Sequence, residues 1–116
     1  MTPEEIDAVV REYADAQAHA NDDRDRPCPT VYARDGTPCT PSMARLADAE
    51  ADVLALRGEE SLPAPVTDFI RAEADKGCRG CWVSSRRGKN HPECNEKIDR
   101  WFAARDALTA YGRSRA

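Results

Sequence analysis

Four residues in the C-terminal third of the chain have the types and the spacing of metal ligands. They form two pairs, Cys78 with Cys81 and His91 with Cys94, and each pair encloses two residues. Two such pairs separated by a short loop are typical of a structural zinc site, because three thiolates and one imidazole suit tetrahedral Zn²⁺. The protein would fill all four positions and leave no place for a catalytic water. The pattern therefore predicts one Zn²⁺ per chain.

The residues around each pair suggest how the ligands are positioned. Gly80 lies between the first two cysteines, and we expect it to let the backbone turn tightly so that both sulfurs point at one centre. Pro92 suits the first position of a helix, which makes His91 the predicted N-cap. His91 and Cys94 are then three residues apart across a helix start and lie on one face. The second pair is thus predicted to fix the start of the last helix.

A Cys-x-x-Cys knuckle, a short polar loop and a second ligand pair in the first turn of a helix resemble a treble-clef zinc finger. The resemblance covers about residues 76–111, and the four predicted ligands take the matching positions. It implies a short hairpin over residues 82–89, between the two pairs. Treble clefs serve DNA binding, ribosome binding, protein docking and nuclease chemistry, so the resemblance does not select one function.

Other chemistries for the cysteines remain open. The order Cys39, Cys78, Cys81, Cys94 is similar to that of the small actinobacterial WhiB-like regulators, which bind an iron–sulfur cluster. In those regulators the last two cysteines are much closer together, and their glycine-tryptophan turn is not found here. Because of these two differences, we keep the iron–sulfur cluster only as the alternative cofactor. A thioredoxin-like redox motif would need a βαβ pattern beside Cys-x-x-Cys, which the sequence lacks. Cysteines that bind no metal are the remaining alternative.

Cys28 and Cys39 precede this group and are harder to assign. They could add ligands to a second metal site, with or without His19, or either could replace His91 in the main site. They could equally be small buried hydrophobic residues, which is how free cysteine often behaves. We keep both as candidate extra ligands, and we interpret His19 more simply as a surface or capping histidine.

Basic residues surround the predicted ligands. Residues 77–116 hold 4 acids and 9 bases, whereas residues 1–76 hold 17 acids and 8 bases. The two parts therefore carry opposite charge within a chain whose net charge is −4, and this asymmetry could mark a partner surface. The residues predicted to contact the phosphates of a nucleic acid are Arg79, Arg86, Arg87, Lys89, Lys97 and Arg100.

Two functions follow from these patterns. The first is a nucleic-acid-binding, transcription-regulatory factor that uses the basic loop of the zinc finger. The alternative is an adaptor that docks on a larger assembly such as the transcription machinery, with zinc purely structural. We do not expect an enzyme, because no Ser-His-Asp set, phosphate-binding glycine loop or dinucleotide fingerprint is present.

The elements that must position these residues are predicted to be helices. Four are expected from capping signals and apolar periodicity, at about residues 3–19, 41–58, 64–77 and 92–112. Asp35-Gly36 predicts a short edge ribbon or a loop over residues 31–39. The predicted fold class is therefore mostly α, with about four helices and a small Cys3His zinc finger whose knuckle and hairpin lead into the last helix.

The length of 116 residues suits a single domain. We divide it into an acidic helical body over residues 1–76, the zinc finger with its helix over residues 77–112, and a tail over residues 113–116. Leu, Ile, Val and Phe together make only 16 residues, and a metal would stabilise so thin a core.

The chain has neither a long apolar run nor an N-terminal signal pattern. We therefore expect no membrane segment and a cytoplasmic protein, in a compartment where thiols stay reduced.

Overall fold

The computed structural model describes residues 1–22, 41–84 and 86–115, and this part of the chain is mostly helical. Four longer helices are present, with one short helix and one 3₁₀ turn ahead of the last. The predicted mostly α fold is thereby confirmed. In chain order the elements are α1 Pro3–Asp22, α2 Pro41–Leu54, α3 Ala64–Ala74, α4 Arg79–Val83, a 3₁₀ turn Arg87–Lys89 and α5 Pro92–Ser114.

The helices begin where the capping signals predict. The hydroxyl of Thr2 accepts a hydrogen bond of 3.2 Å from the backbone N–H of Glu5, which satisfies one of the free donors at the start of α1. Pro41 and Pro92 are the first residues of α2 and α5. These positions suit proline because the first turn of a helix needs no N–H donor there. α1 extends to Asp22, three residues beyond its predicted end.

The main core forms where α1, α2, α3 and α5 meet. α1 packs against α2 and α5, and α3 packs against α5. The rings of Tyr13 and Phe69, whose centroids are 5.6 Å apart, are both fully buried in this core. Removing such apolar surface from water is the main favourable term in the folding of this body. The other large side chains that are fully buried are Val10, Val53, Leu56, Val66 and Leu108.

Gly112 lies inside α5 and does not end it, contrary to the prediction, because the helix continues for two more residues. A Cβ atom at this position would lie 2.6 Å from the carbonyl oxygen of Val10 and 2.7 Å from the Cβ atom of Ala14. The missing side chain therefore lets α1 and α5 approach closely. The predicted tail is also helical at its start, and Arg115 forms an ion pair of 2.9 Å with Asp7 of α1.

The hairpin predicted over residues 82–89 is not formed by the described residues of that stretch. α4 covers its first two residues and the 3₁₀ turn covers its last three. The reason is local, since the backbone N–H of Trp82 donates to the carbonyl of Cys78 at 3.3 Å and closes the knuckle as a helical turn. The ribbon predicted for residues 31–39 lies outside the described residues.

A second, smaller cluster lies beside the main core. Cys81, Cys94 and Ile98 are buried together, and Trp82 packs against them. An aromatic chain joins this cluster to the main core, because Trp101 lies 5.8 Å from Phe69 and 5.3 Å from Trp82, measured between ring centroids. Within the described ranges, no helix combines the length and the apolar character needed to cross a membrane.

Candidate metal centre

The structure brings the four predicted ligands together. Their donor atoms, three sulfurs and one imidazole nitrogen, all lie within 4.8 Å of one another. Cys78 is the N-cap of α4 and Cys81 lies in the same short helix, while His91 is the N-cap of α5 and Cys94 lies in its first turn. Two helix starts therefore face each other and present one ligand pair each.

The distances between donor atoms match those of a tetrahedral metal site. With metal–sulfur bonds of about 2.3 Å and metal–nitrogen bonds of about 2.0–2.1 Å, the tetrahedron has edges of about 3.8 Å between sulfurs and about 3.6 Å between sulfur and nitrogen. Nδ1 of His91 lies 3.8, 3.6 and 3.7 Å from the sulfurs of Cys78, Cys81 and Cys94. The sulfurs of Cys94 and Cys78 are 3.8 Å apart. The imidazole nitrogen is thus almost equidistant from three sulfurs.

The edge between the sulfurs of Cys78 and Cys81 is shorter. Its length of 3.2 Å suits two thiols that share a hydrogen bond and is far above the length of about 2.05 Å of a disulfide bond. Cys78, Cys81 and Cys94 are free cysteines. All three sulfurs are therefore available to a metal ion.

The shared hydrogen bond sets the ionisation of this pair. The bond from Cys81 is the largest cause that lowers the pKa of Cys78, to about 6, and the same bond raises the pKa of Cys81 to about 11. The directions of the two shifts place the thiol proton on Cys81. A metal ion binds thiolate, so binding at Cys81 releases this proton to solvent.

Gly77 permits the close approach of the two ligand pairs. Its φ of +87° lies in the left-handed region that favours glycine. A Cβ atom at this position would lie 3.2 Å from the Cβ atom and 3.3 Å from the sulfur of Cys94. Gly80, for which the sequence predicts this role, lies inside α4 with open space around it, so that prediction is wrong. The tight turn precedes the knuckle and does not lie within it.

Hydrogen bonds hold the loop between the pairs against the metal ligands. The side-chain amide of Asn90 donates to the carbonyl of Cys81 at 3.1 Å and to the side-chain oxygen of Asn95 at 3.0 Å. Asn95 in turn donates to the carbonyl of Arg87 at 3.0 Å. The indole N–H of Trp82 donates to the carbonyl of Lys76. Hydrogen bonds of this kind fix the orientation of the metal ligands.

Sequence reasoning missed Gly77 and Asn90 as parts of this centre. The sequence does contain a local signal at both positions, because glycine and asparagine are turn residues. Gly77 immediately precedes a ligand, and Asn90 immediately precedes the N-cap of a helix. The contacts that give them their roles are made to residues 9 to 17 positions away, Cys81 and Cys94. Chain spacing alone does not reveal such contacts. Cys28 and Cys39 lie outside the described residues.

The six cations predicted to contact nucleic acid fall into two groups, those that form an ion pair with a described residue and those that do not. Arg87 forms an ion pair of 3.0 Å with Asp99, and Lys97 forms one of 2.8 Å with Asp75. Each partner carboxyl has its pKa lowered by the hydrogen bond from its cation. The other four are exposed and form no ion pair with another described residue: Arg79, Arg86, Lys89 and Arg100.

The arrangement could hold a metal ion through three sulfurs and one nitrogen. Cys81 and Cys94 are buried whereas Cys78 and His91 are exposed, so an ion could enter from the solvent side. Four protein donors complete a tetrahedral shell, and this leaves no open coordination position for a substrate. Comparisons of the chain with protein-family models, curated proteins and solved structures gave no match, so the chemistry of this centre is inferred from its own residues.

Proposed function

We propose that Cys78, Cys81, His91 and Cys94 bind one Zn²⁺ and that this zinc is structural. The observation that carries the proposal is the near-equal distance of 3.6 to 3.8 Å from Nδ1 of His91 to the three sulfurs. Thiolate and imidazole donors in a tetrahedral set are typical of zinc. An iron–sulfur cluster is the alternative cofactor. Cysteines alone would hold it, so Nδ1 of His91 would not be a ligand.

The zinc would stabilise a part of the chain that buries little apolar surface. α4 has five residues, and of these only Cys81 is buried. Because a preformed site is absent from the unfolded chain, the free energy of metal binding adds to the free energy of folding. The zinc would thus fix α4 and the following loop against the start of α5. We infer a non-enzymatic role, since a closed shell offers no catalytic position, in a reducing compartment such as the cytoplasm.

A pair of histidine variants tests the ligand set. His91→Ala removes the only nitrogen donor and should weaken zinc binding by at least about tenfold, measured by competition with a chromophoric chelator. His19→Ala is the matched control, because His19 lies on α1 beside Arg45 and outside the ligand group. It should bind zinc as the wild type does. Equal affinity of His91→Ala and the wild type would remove His91 from the ligand set.

For the role of the zinc-bound protein, we propose first that it binds nucleic acid and regulates transcription. Four exposed cations that form no ion pair with a described residue support this role, since they could contact phosphates without giving up such a partner. They are Arg79, Arg86, Lys89 and Arg100. Exposed Glu93 and Glu96 on α5 weaken the positive potential of this surface.

The nucleic-acid proposal is tested with labelled random-sequence duplex and single-stranded DNA at low ionic strength. Replacing Arg86 and Lys89 with Gln should weaken binding of every sequence and lower the salt slope by about one unit for each lost phosphate contact. Replacing Arg11 and Arg57, which are exposed on the body, is the matched control. Absence of salt-dependent binding, or equal weakening in the control, would contradict this role.

A second candidate is an adaptor that docks on a protein partner through its acidic helices. Exposed carboxylates along the first three helices support it, namely Glu4, Glu5, Asp48, Asp52 and Asp68. A partner with a basic surface would be attracted to them. Under this proposal a defined partner is lost on replacing Asp48 and Asp52 with Asn and is retained on replacing Arg86 and Lys89 with Gln. The reverse pattern would reject docking through the acidic helices.

A further inference from the structure

A cleft of about 790 Å³ opens between α2 and α5, above the C-terminal half of α1. It exists because α2 and α5 both pack on α1 and scarcely touch each other in the described part of the chain. Clefts of about 300–1,000 Å³ with mainly apolar walls are the usual size of small-molecule sites. The apolar walls consist of Met43 and Leu46 from α2, Trp82 and Val83 from α4, and Trp101 and Phe102 from α5.

One carboxylate in this cleft is not compensated. Glu50 lines the cleft and is half-buried, and it forms no hydrogen bond or ion pair with another described residue. The neighbouring Glu73 is satisfied, because it accepts the indole N–H of Trp101 at 2.7 Å and pairs with Lys76 at 2.8 Å. The ammonium group of Lys76 therefore pairs with Glu73 and not with Glu50. Burial, then the charge of Glu73, raises the pKa of Glu50, and Lys76 only partly opposes this.

The aromatic walls already attract cations. Lys76 Nζ lies 5.7 Å from the ring centroid of Trp82, and the guanidinium of Arg105 lies 4.9 Å from that of Phe102. Arg105 also lines the cleft, and it forms its ion pair with Asp106 at 3.0 Å and not with Glu50. A cation above an aromatic face is attracted by the ring, and more strongly where water is excluded. The cleft thus combines aromatic faces with a carboxylate, Glu50, that has no ion-pair partner in the described part of the chain.

We propose that this cleft binds a small organic cation, an amine on an apolar body, with its ammonium group at Glu50 and its body against Trp82 and Trp101. The amine would supply a partner that Glu50 does not find among the described residues, and a charge-assisted hydrogen bond inside an apolar cleft is among the stronger polar contacts. The volume and the aromatic walls accommodate the apolar body. The site contains none of the four metal ligands, although Trp82 in its wall follows Cys81 in α4.

The test compares phenylbutylammonium with phenylbutanol, its neutral analogue of similar shape, on the full chain by NMR. The amine should shift the indole N–H signals of Trp82 and Trp101 and bind at least about tenfold more tightly than the alcohol. Glu50→Gln should lower the affinity for the amine to that for the alcohol. Asp52→Asn, an exposed carboxylate on the same helix, should leave both affinities unchanged.

Several outcomes would overturn the proposal. Equal affinity for amine and alcohol, equal affinity of wild type and Glu50→Gln, or no indole shift at millimolar ligand would each do so. If neither small ligand bound but a basic amphipathic peptide bound tightly in the cleft, the cleft would be a protein-docking surface. A protein that takes up no zinc but binds the amine in this way would reject the zinc proposal alone.

Discussion

Single residues decide the geometry of the candidate metal centre, and two of them are not ligands. Gly77 has a left-handed backbone and no room for a side chain against Cys94. Asn90 ties the loop to the carbonyl of Cys81. The ligand types and spacing are enough to predict which four residues converge, because their chemistry is specific. The supporting residues could not be predicted, because their roles depend on contacts made only after folding.

Gly77→Ala should weaken metal binding by about tenfold or more, because a left-handed non-glycine residue costs roughly 1–2 kcal/mol and the new Cβ atom meets Cys94. Gly80→Ala is the matched control, since its Cβ atom meets nothing and alanine favours a helix. Chelator competition measures both affinities. If the two variants bind zinc equally well, the close approach at Gly77 is not needed for the site.

Glu50→Gln should stabilise the protein at neutral pH. The raised pKa means that the folded state binds the proton of Glu50 more readily than the unfolded state does, so the charged form costs stability once the pH exceeds the ordinary value of 4.5. Below that value both states are protonated and the gain should disappear. Thermal unfolding of wild type and variant at the two pH values measures this. A gain that is independent of pH would contradict the assignment to ionisation.

Among the helices, α5 contributes residues to the main core, to the smaller cluster and to the candidate metal centre. It presents Leu108 to the main core, Ile98 to the smaller cluster and Cys94 to the metal centre. The four longer helices could be predicted because their proline starts and apolar spacing are local signals. The backbone path between the ligand pairs could not be predicted. Residues 82–89 lack the alternation of apolar and polar residues that distinguishes a strand from a helical turn.

Gly112→Ala should destabilise the protein by about 1–3 kcal/mol, because the new methyl group would overpack the contact between α1 and α5. The gain of alanine over glycine in a helix is smaller than this cost, since the nearest atom is a backbone oxygen of Val10 at 2.6 Å. Gly88→Ala, with open space around its Cβ atom, should change stability little. Urea unfolding measures both. Equal stability of the two variants would mean that the helices can separate at no cost.

In the molecule as a whole, a large and a small cluster of buried residues are joined by a chain of aromatic side chains. The main core draws on four helices, whereas the cluster around Cys81, Cys94 and Ile98 is small and includes two of the four candidate metal ligands. Trp82 and Trp101 connect them. We therefore expect metal removal to act on one end of the molecule first.

Chelation of the metal should raise hydrogen exchange in α4 and in the first turns of α5 while the amides around Tyr13 and Phe69 stay protected. The main core has its own buried side chains and does not include the ligands. Local opening of this kind requires less free energy than global unfolding. Hydrogen exchange with mass spectrometry, before and after chelation, resolves the two regions. Uniform loss of protection would show that the clusters unfold as one unit.

The central claim is that three sulfurs and one nitrogen of this chain bind one zinc ion. The most direct measurement is elemental analysis with X-ray absorption spectroscopy of protein purified without oxygen. We predict one zinc per chain, with three sulfurs at about 2.3 Å and one nitrogen at about 2.0 Å. A brown protein that contains iron and sulfide, or zinc surrounded by four sulfurs and no nitrogen, would contradict the claim.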